Sequence, residues 1–330
     1  MSSQSAQGYV QSVDHFANQQ RQPDEALYLL LDPFAGCPPE HPLAIAALGE
    51  ALGSDAVTRV DCSGRVQDPE CWPALVRLAK PGDAPTALAS LSATCAARES
   101  AATWHYVCGW LISDQPADLI ARHISQQCQV LHQPKPHGIT AWFEPVRLAL
   151  LRATLKNAGE VLGPVRSWLH PDGCGSCEVF ERKPMAGELA VPEAVRATQH
   201  VAPQIIQLLC AWHRLSAVQH SHAGLPENAP THAMNLILKA FKQGLRDRAD
   251  IQCMSLHMLM VHPLLLQHPT IQHAVEKAAA GEQRLAYRFA SYDDCTWSHI
   301  VASLPNGRFS RSATTTLTRP PLFRASTSSR

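Results

Sequence analysis

WHYVCGWLIS (104–113), DQPADLIARHI (114–124), QVLHQPKPHGITAWFEPVRLALL (129–151) and VLGPVRSWL (161–169) form a stretch in which strand-like and helix-like patterns take turns. Trp104–Ile112 is aromatic and apolar and reads as a strand. Pro116–Cys128 follows as a helix, with Ser113 or Asp114 as cap and a proline in the first turn, where a missing N–H costs nothing. Its apolar residues Leu119, Ile120, Ile124 and Cys128 share one face. Gln129–His132 and Ile139–Phe143 flank the turn-forming PKPHG and together predict a hairpin. Pro145–Lys156 is a second helix, with Leu148, Leu151 and Leu155 on one side. Asn157-Ala158-Gly159 stops it.

The same alternation extends towards the N-terminus. ALYLLLD (26–32) is a short apolar run ended by Asp-Pro and predicts a buried strand. His41–Leu52 is helical and stops at Gly53. Ala56–Asp61 alternates like a strand, and Glu70–Ala79 (ECWPALVRLA) reads as a helix ended by Pro81-Gly82. The Gln/Ser-rich residues 1–24 are expected to be mobile. Beyond about residue 183 the composition changes. Residues 184–195 are polar and broken by Pro and Gly, as in a linker. Helical spacing then dominates, first in Ile205, Ile206, Leu209, Trp212 and Leu215 and again in Met234, Ile237, Leu238, Phe241 and Leu245. The expected fold class is therefore an α/β (mixed α+β) N-terminal lobe, 25–183, with a mainly α-helical C-terminal lobe, 196–305. Residues 306–330 carry five arginines and no acid and are expected to be disordered.

Charge excludes some partners. Lys plus Arg and Asp plus Glu are 28 each in 330 residues, so bulk electrostatics predict neither nucleic acid nor an anionic membrane as partner. MSSQSAQGYVQSVDHF lacks a basic n-region and an apolar h-region, and the longest apolar stretch, 254–266, is too short to cross a bilayer. The eleven cysteines are scattered through predicted strands and helices, as reduced thiols in the cytoplasm would be. A cytoplasmic protein is the expectation.

Trp142, Phe143, Glu144, Pro145 and Arg147, followed by Gly163, Pro164 and Trp168, stand in an order that resembles the effector-chaperone (adaptor) domain of bacterial type VI secretion systems. ALYLLLD and CWPALVRLA fit the same family, so the resemblance spans about 26–182. The family has arginine where this chain has Ala141 and aspartate where it has Glu144. The resemblance implies a non-catalytic adaptor without cofactor. It would bind a cognate effector protein and help load it onto a VgrG-type spike protein. Read from physics alone, the same residues are first of all structural: aromatic packing, a carboxylate cap with proline at the first helical position, and a tight Gly-Pro turn. Partner contact is the second reading.

A rival signal is His170-Pro-Asp-Gly-Cys174-Gly-Ser-Cys177. Cys174 and Cys177 with His170 offer three soft ligands of a zinc site or a redox pair, but the spacing supplies no fourth ligand. DGCGS is also turn chemistry between two short strands. The histidines 213, 220, 222 and 232 lack ligand spacing and read as surface. No serine-hydrolase, zinc-protease, dinucleotide or Walker motif occurs. The alternatives to an adaptor are a metal- or thiol-dependent enzyme built on Cys174/Cys177, or a scaffold of the same fold with another client.

Overall fold

The structure, a computed structural model, describes residues 3–65, 67–99, 104–132, 138–172, 176–184, 191–218 and 228–305. It falls into two compact units, within Met1–Ile206 and Ala223–Thr231 for the first and within Gln207–His222 and His232–Arg330 for the second. The first unit is built on a six-stranded antiparallel sheet and the second on helices, so the fold is mixed α+β with a helical C-terminal lobe.

Six strands make the sheet: β1 (Ala26–Leu31), β2 (Val57–Arg59), β3 (Ala74–Ala79), β4 (Val107–Ser113), β5 (Ser167–Pro171) and β6 (Cys177–Glu181). Their order is β2-β3-β1-β4-β5-β6. Every residue of β1 and β4 is buried, because helices cover both faces. On one face, α4 (Ala117–Val130) and α5 (Pro145–Thr154) pack on Tyr28, Leu30, Leu75, Leu111, Trp168 and Phe180. On the other, α1 (Ser3–His15), α2 (Ile45–Leu52) and α3 (Leu88–Arg98) cover Leu29, Leu31, Val76, Trp110, Ile112 and Leu169.

The alternation along β4 is broken at Gly109. Leu30 pairs with Gly109 but Leu31 with Val107, so a bulge falls between them. After it, Cys108 and Leu111 share one face while Val107, Trp110 and Ile112 share the other. Gly109 has φ +137°, and a Cβ there would lie 2.5 Å from the Leu169 carbonyl oxygen and closer still to the Trp168 indole nitrogen.

Three expectations are corrected. Ala74–Ala79 is a strand, not part of a helix over Glu70–Ala79. Asp68 caps a short 3-10 turn at Pro69–Cys71, and Trp72, which precedes Pro73, is extended (ψ 148°) as its position requires. The Ala-Leu-Arg composition favours helix, but burial between β1 and β2 overrides it. The hairpin over Gln129–Phe143 is absent from its described parts. Gln129 and Val130 complete α4, and the chain at Thr140 returns to that helix through a Thr140 N–H bond to the Cys128 carbonyl at 3.0 Å. Residues 133–137 lie outside the described residues. Finally, residues 1–24 are largely structured. Tyr9, Val13 and Phe16, one helical face under a polar composition, are buried in the core. The 306–330 segment and residues 185–190 of the 184–195 segment lie outside the described residues. α6 (Glu193–Val218) already begins within the latter, and the division between units falls inside that helix.

The second unit contains the rest of α6, most of α7 (Ala229–Lys242), α8 (Arg248–Met260), α9 (Pro269–Ala279), α10 (Leu285–Ala290) and α11 (Asp294–Ser303). His257, Phe289, Tyr292 and Trp297 form its aromatic centre, with His257 and Phe289 4.7 Å apart and Phe289 and Trp297 5.4 Å apart. Asp250 is buried, and one of its carboxylate oxygens accepts the Leu285 N–H at 2.9 Å, joining α8 to α10.

Gly109→Ala is expected to destabilise the first unit by roughly 2–4 kcal/mol, through positive-φ strain and overpacking together. Urea denaturation checks this. A variant as stable as the parent would show that β4 and β5 do not need this close approach.

Candidate functional site

The resemblance residues converge on one core. Trp142, Phe143 and Trp168 are buried together, with Trp142 edge-on to Trp168 at 5.3 Å between centroids. Each indole N–H is satisfied: Trp142 donates to the Ile124 carbonyl at 3.2 Å and Trp168 to the Cys108 carbonyl at 3.3 Å. Pro145 opens α5, and Glu144 caps it by accepting the Arg147 N–H at 3.0 Å. Gly163 has φ +52°, and a Cβ there would fall on the His123 ring, whose Nε2 meets the Val161 carbonyl at 2.8 Å. The Pro164 carbonyl accepts the Ser113 hydroxyl at 2.7 Å. Read residue by residue, these are building elements of the lobe.

Glu144 has a second role that its sequence position does not reveal. Its other carboxylate oxygen faces His105 Nδ1 at 3.0 Å, with the two side chains 1 % and 3 % exposed. Burial drives the Glu144 carboxyl up, yet the bond and charge of His105, then the Arg147 N–H and guanidinium, hold it below the usual carboxylate range. For His105, burial is outweighed by Glu144, with Glu99 adding to it, so its value is raised. Glu99 accepts the Val107 N–H at 3.0 Å, and burial pushes its carboxyl up. Arg147 donates to the Gln199 carbonyl at 2.6 Å, and Gln199 donates back to the Arg147 carbonyl at 3.0 Å. Nearby, Asp32 holds Arg65 at 2.7 Å, and the Arg65 guanidinium lies 4.1 Å from the Phe34 ring centroid. Burial raises the Asp32 carboxyl although Arg65 opposes it.

This network has acids and a base but is sealed. The side chains of His105, Glu144 and Asp32 are all at most 3 % exposed. Its chemistry is therefore internal: it ties the entry of β4 to the start of α5 and α5 to α6. Sequence reasoning found Glu144 as a cap and Asp32 as a turn residue. It missed their partners, because His105 and Arg65 lie 39 and 33 positions away.

The Cys/His signal dissolves in the sheet. β5 and β6 pair with Pro171 opposite Cys177 and His170 opposite Glu178. Neighbours along a strand point to opposite faces, so His170 shares the Trp168 face while Cys177 packs with Val179 on the other. They cannot hold one metal ion. Burial lowers His170 to about 4, and its Nδ1 faces the Pro171 carbonyl at 2.8 Å. Burial likewise raises the Cys177 thiol, which opposes thiolate chemistry. Cys174 lies outside the described residues. Among the described residues no group of three His, Cys, Asp or Glu could hold a metal, and no helix is long and apolar enough to cross a membrane.

Set against protein-family models, curated proteins and solved structures, the chain matches none.

The buried pair sets a pH window. Glu144, with a lowered value, stabilises fully above its unfolded value of 4.5 and loses this as the pH falls through its folded value. His105, with a raised value, stabilises fully below its unfolded value of 6.5 and loses this as the pH rises through its folded value. Glu144→Ala should therefore cost most between pH 4.5 and 6.5, about 3–5 kcal/mol, with the gap to the parent narrowing on both sides. Urea midpoints across pH measure it. A gap independent of pH would reduce Glu144 to a helix cap.

Proposed function

We propose that the chain is a non-catalytic adaptor that binds a type VI secretion effector and helps load it onto a VgrG-type spike. The observation that carries this reading is the convergence of residues 142–147 and 163–168 on one packed core, where Trp142 meets Trp168. The resemblance thus rests on a cooperating structural unit rather than on scattered letters. The mechanism is recognition without turnover. An adaptor that binds the folded effector stabilises it by mass action, by about 2.7 kcal/mol when its free concentration is a hundred times Kd.

Co-expression with the effector and spike genes encoded beside it tests the reading. The effector is expected to co-purify with the adaptor, to melt several degrees higher in the complex, and to disappear from the secreted fraction when the adaptor gene is deleted. An effector equally soluble and equally secreted without this chain would sink the proposal. Co-purification of a protein unrelated to secretion would replace it with the scaffold reading.

A further inference from the structure

β6 ends the sheet, and among the described residues it pairs with β5 alone. Two bonds fix the phase of that ladder: Arg182 N–H to the Arg166 carbonyl at 2.8 Å and Asp172 N–H to the Ser176 carbonyl at 2.9 Å. In an antiparallel ladder, successive residues turn their backbone groups alternately towards the neighbour and away from it. Glu178 and Phe180 therefore bond to β5, while Cys177, Val179 and Glu181 direct N–H and C=O outward. Lys183 keeps the same phase, and its N–H finds the Gly159 carbonyl at 3.1 Å. Among the described residues no backbone group meets the outward groups of 177 and 179, whereas Gly159 lies against the Glu181 carbonyl and closes the edge there.

Exposed sheet edges are usually guarded by proline, lysine or a bulge. β6 (CEVFE) carries Glu178 and Glu181 but no proline, lysine or bulge in its five residues, whereas the opposite edge, β2, is only three residues long. Beside the β6 edge lies an open cleft of about 460 Å³ whose lining includes Arg152, Lys156, Gly159, Phe180, Glu181 and Lys183. Three cations face one carboxylate there. Arg152 is engaged by Glu178 and lies over the Phe180 ring. Lys156 and Lys183 are exposed and have no ion pair among the described residues. The edge offers strand hydrogen bonds, and the cleft beside it offers uncompensated positive charge.

We propose that the outer edge of β6 docks an extended, acid-bearing segment of a partner chain, which adds as a further strand and sets its carboxylates against Lys156 and Lys183. The proposal rests on the adaptor reading only for the owner of that segment, the effector.

Two short soluble peptides test the edge, one alternating valine with glutamate and the other valine with lysine. Binding is read by fluorescence anisotropy, and hydrogen exchange is read over residues 177–183. The acidic peptide is expected to bind the full-length parent at least about tenfold more tightly than the basic one, and to slow exchange in that segment. Val179→Pro removes an outward N–H without breaking a β5 bond, and Lys156→Glu with Lys183→Glu reverses the charge; each should weaken the acidic peptide about tenfold or more. Circular dichroism melts check that both variants fold, and the surface charge reversal decides alone if Val179→Pro does not. Equal binding of the two peptides, or unchanged exchange at 177–183, overturns the proposal. So does a dimer of the parent that Val179→Pro dissociates, since a second copy would then own the edge. Peptide binding with no effector co-purification would remove the adaptor reading and keep the edge; the reverse result would do the opposite.

Discussion

Trp168 reaches from β5 to donate its indole N–H to the Cys108 carbonyl, and that approach is open only because residue 109 has no side chain. Much of the first unit follows from this contact. The bulge at Gly109 shifts the alternation of β4, sending Trp110 to the α1/α3 face while Leu111 stays under α4 and α5. Trp110 then donates to the Ser92 hydroxyl at 2.8 Å on α3. On the other face, Trp142 packs against Trp168 and bonds to α4 through the Ile124 carbonyl. Three large rings with polar edges are buried with their N–H groups satisfied, and between them they join two strands to helices on both sides of the sheet.

The ion pair between His105 and Glu144 serves a different end. A fully buried pair gains little net stability over apolar residues of similar volume, because desolvation offsets most of the attraction. Its worth lies in what happens when it is misplaced. Glu144 can accept the Arg147 N–H and face His105 together only if α5 starts where it does relative to β4. Any other placement buries an uncompensated charge. The pair therefore specifies geometry more than it adds stability, and the exchange of hydrogen bonds between Arg147 and Gln199 extends that specification to the first turns of α6.

Sequence legibility followed the range of the forces involved. β1, β4, α4 and α5 were readable because local signals agreed with tertiary fate: an apolar run ended by Asp32-Pro33, an extended Pro116 immediately before α4 rather than in its first turn, and Glu144-Pro145 opening α5. β3 was misread because Ala74–Ala79 carries helical propensity and is a strand only through pairing with β1 and β2, a non-local cause. α1 was hidden by polar residues around a sparse apolar face of Tyr9, Val13 and Phe16. The resemblance residues were legible as architecture, and Glu144 as a cap. His105 and Arg65 were not, since nothing local marks a partner that folding brings from more than thirty positions away. The His170/Cys177 pairing failed for a reason of parity. Close spacing in the chain suggested one site, and the hairpin register places the two on opposite faces.

A division of labour follows for the first unit. Residues whose identity is dictated by packing, Trp110, Trp142, Trp168, Gly109 and the acids Asp32 and Glu144, are enclosed and have no surface with which to select a partner. Recognition must use groups that folding leaves unsatisfied or uncompensated. Among the described residues of this unit, the outward backbone of Cys177 and Val179 and the two lysines beside it are groups of that kind. Backbone hydrogen bonds discriminate poorly between sequences, so an edge of this kind gives affinity, and the neighbouring charges and side-chain pockets give selectivity. Such a surface can change its client by altering a few exposed residues without disturbing the core. Under the proposed adaptor reading, that is how a structural resemblance would coexist with a client that the resemblance does not name.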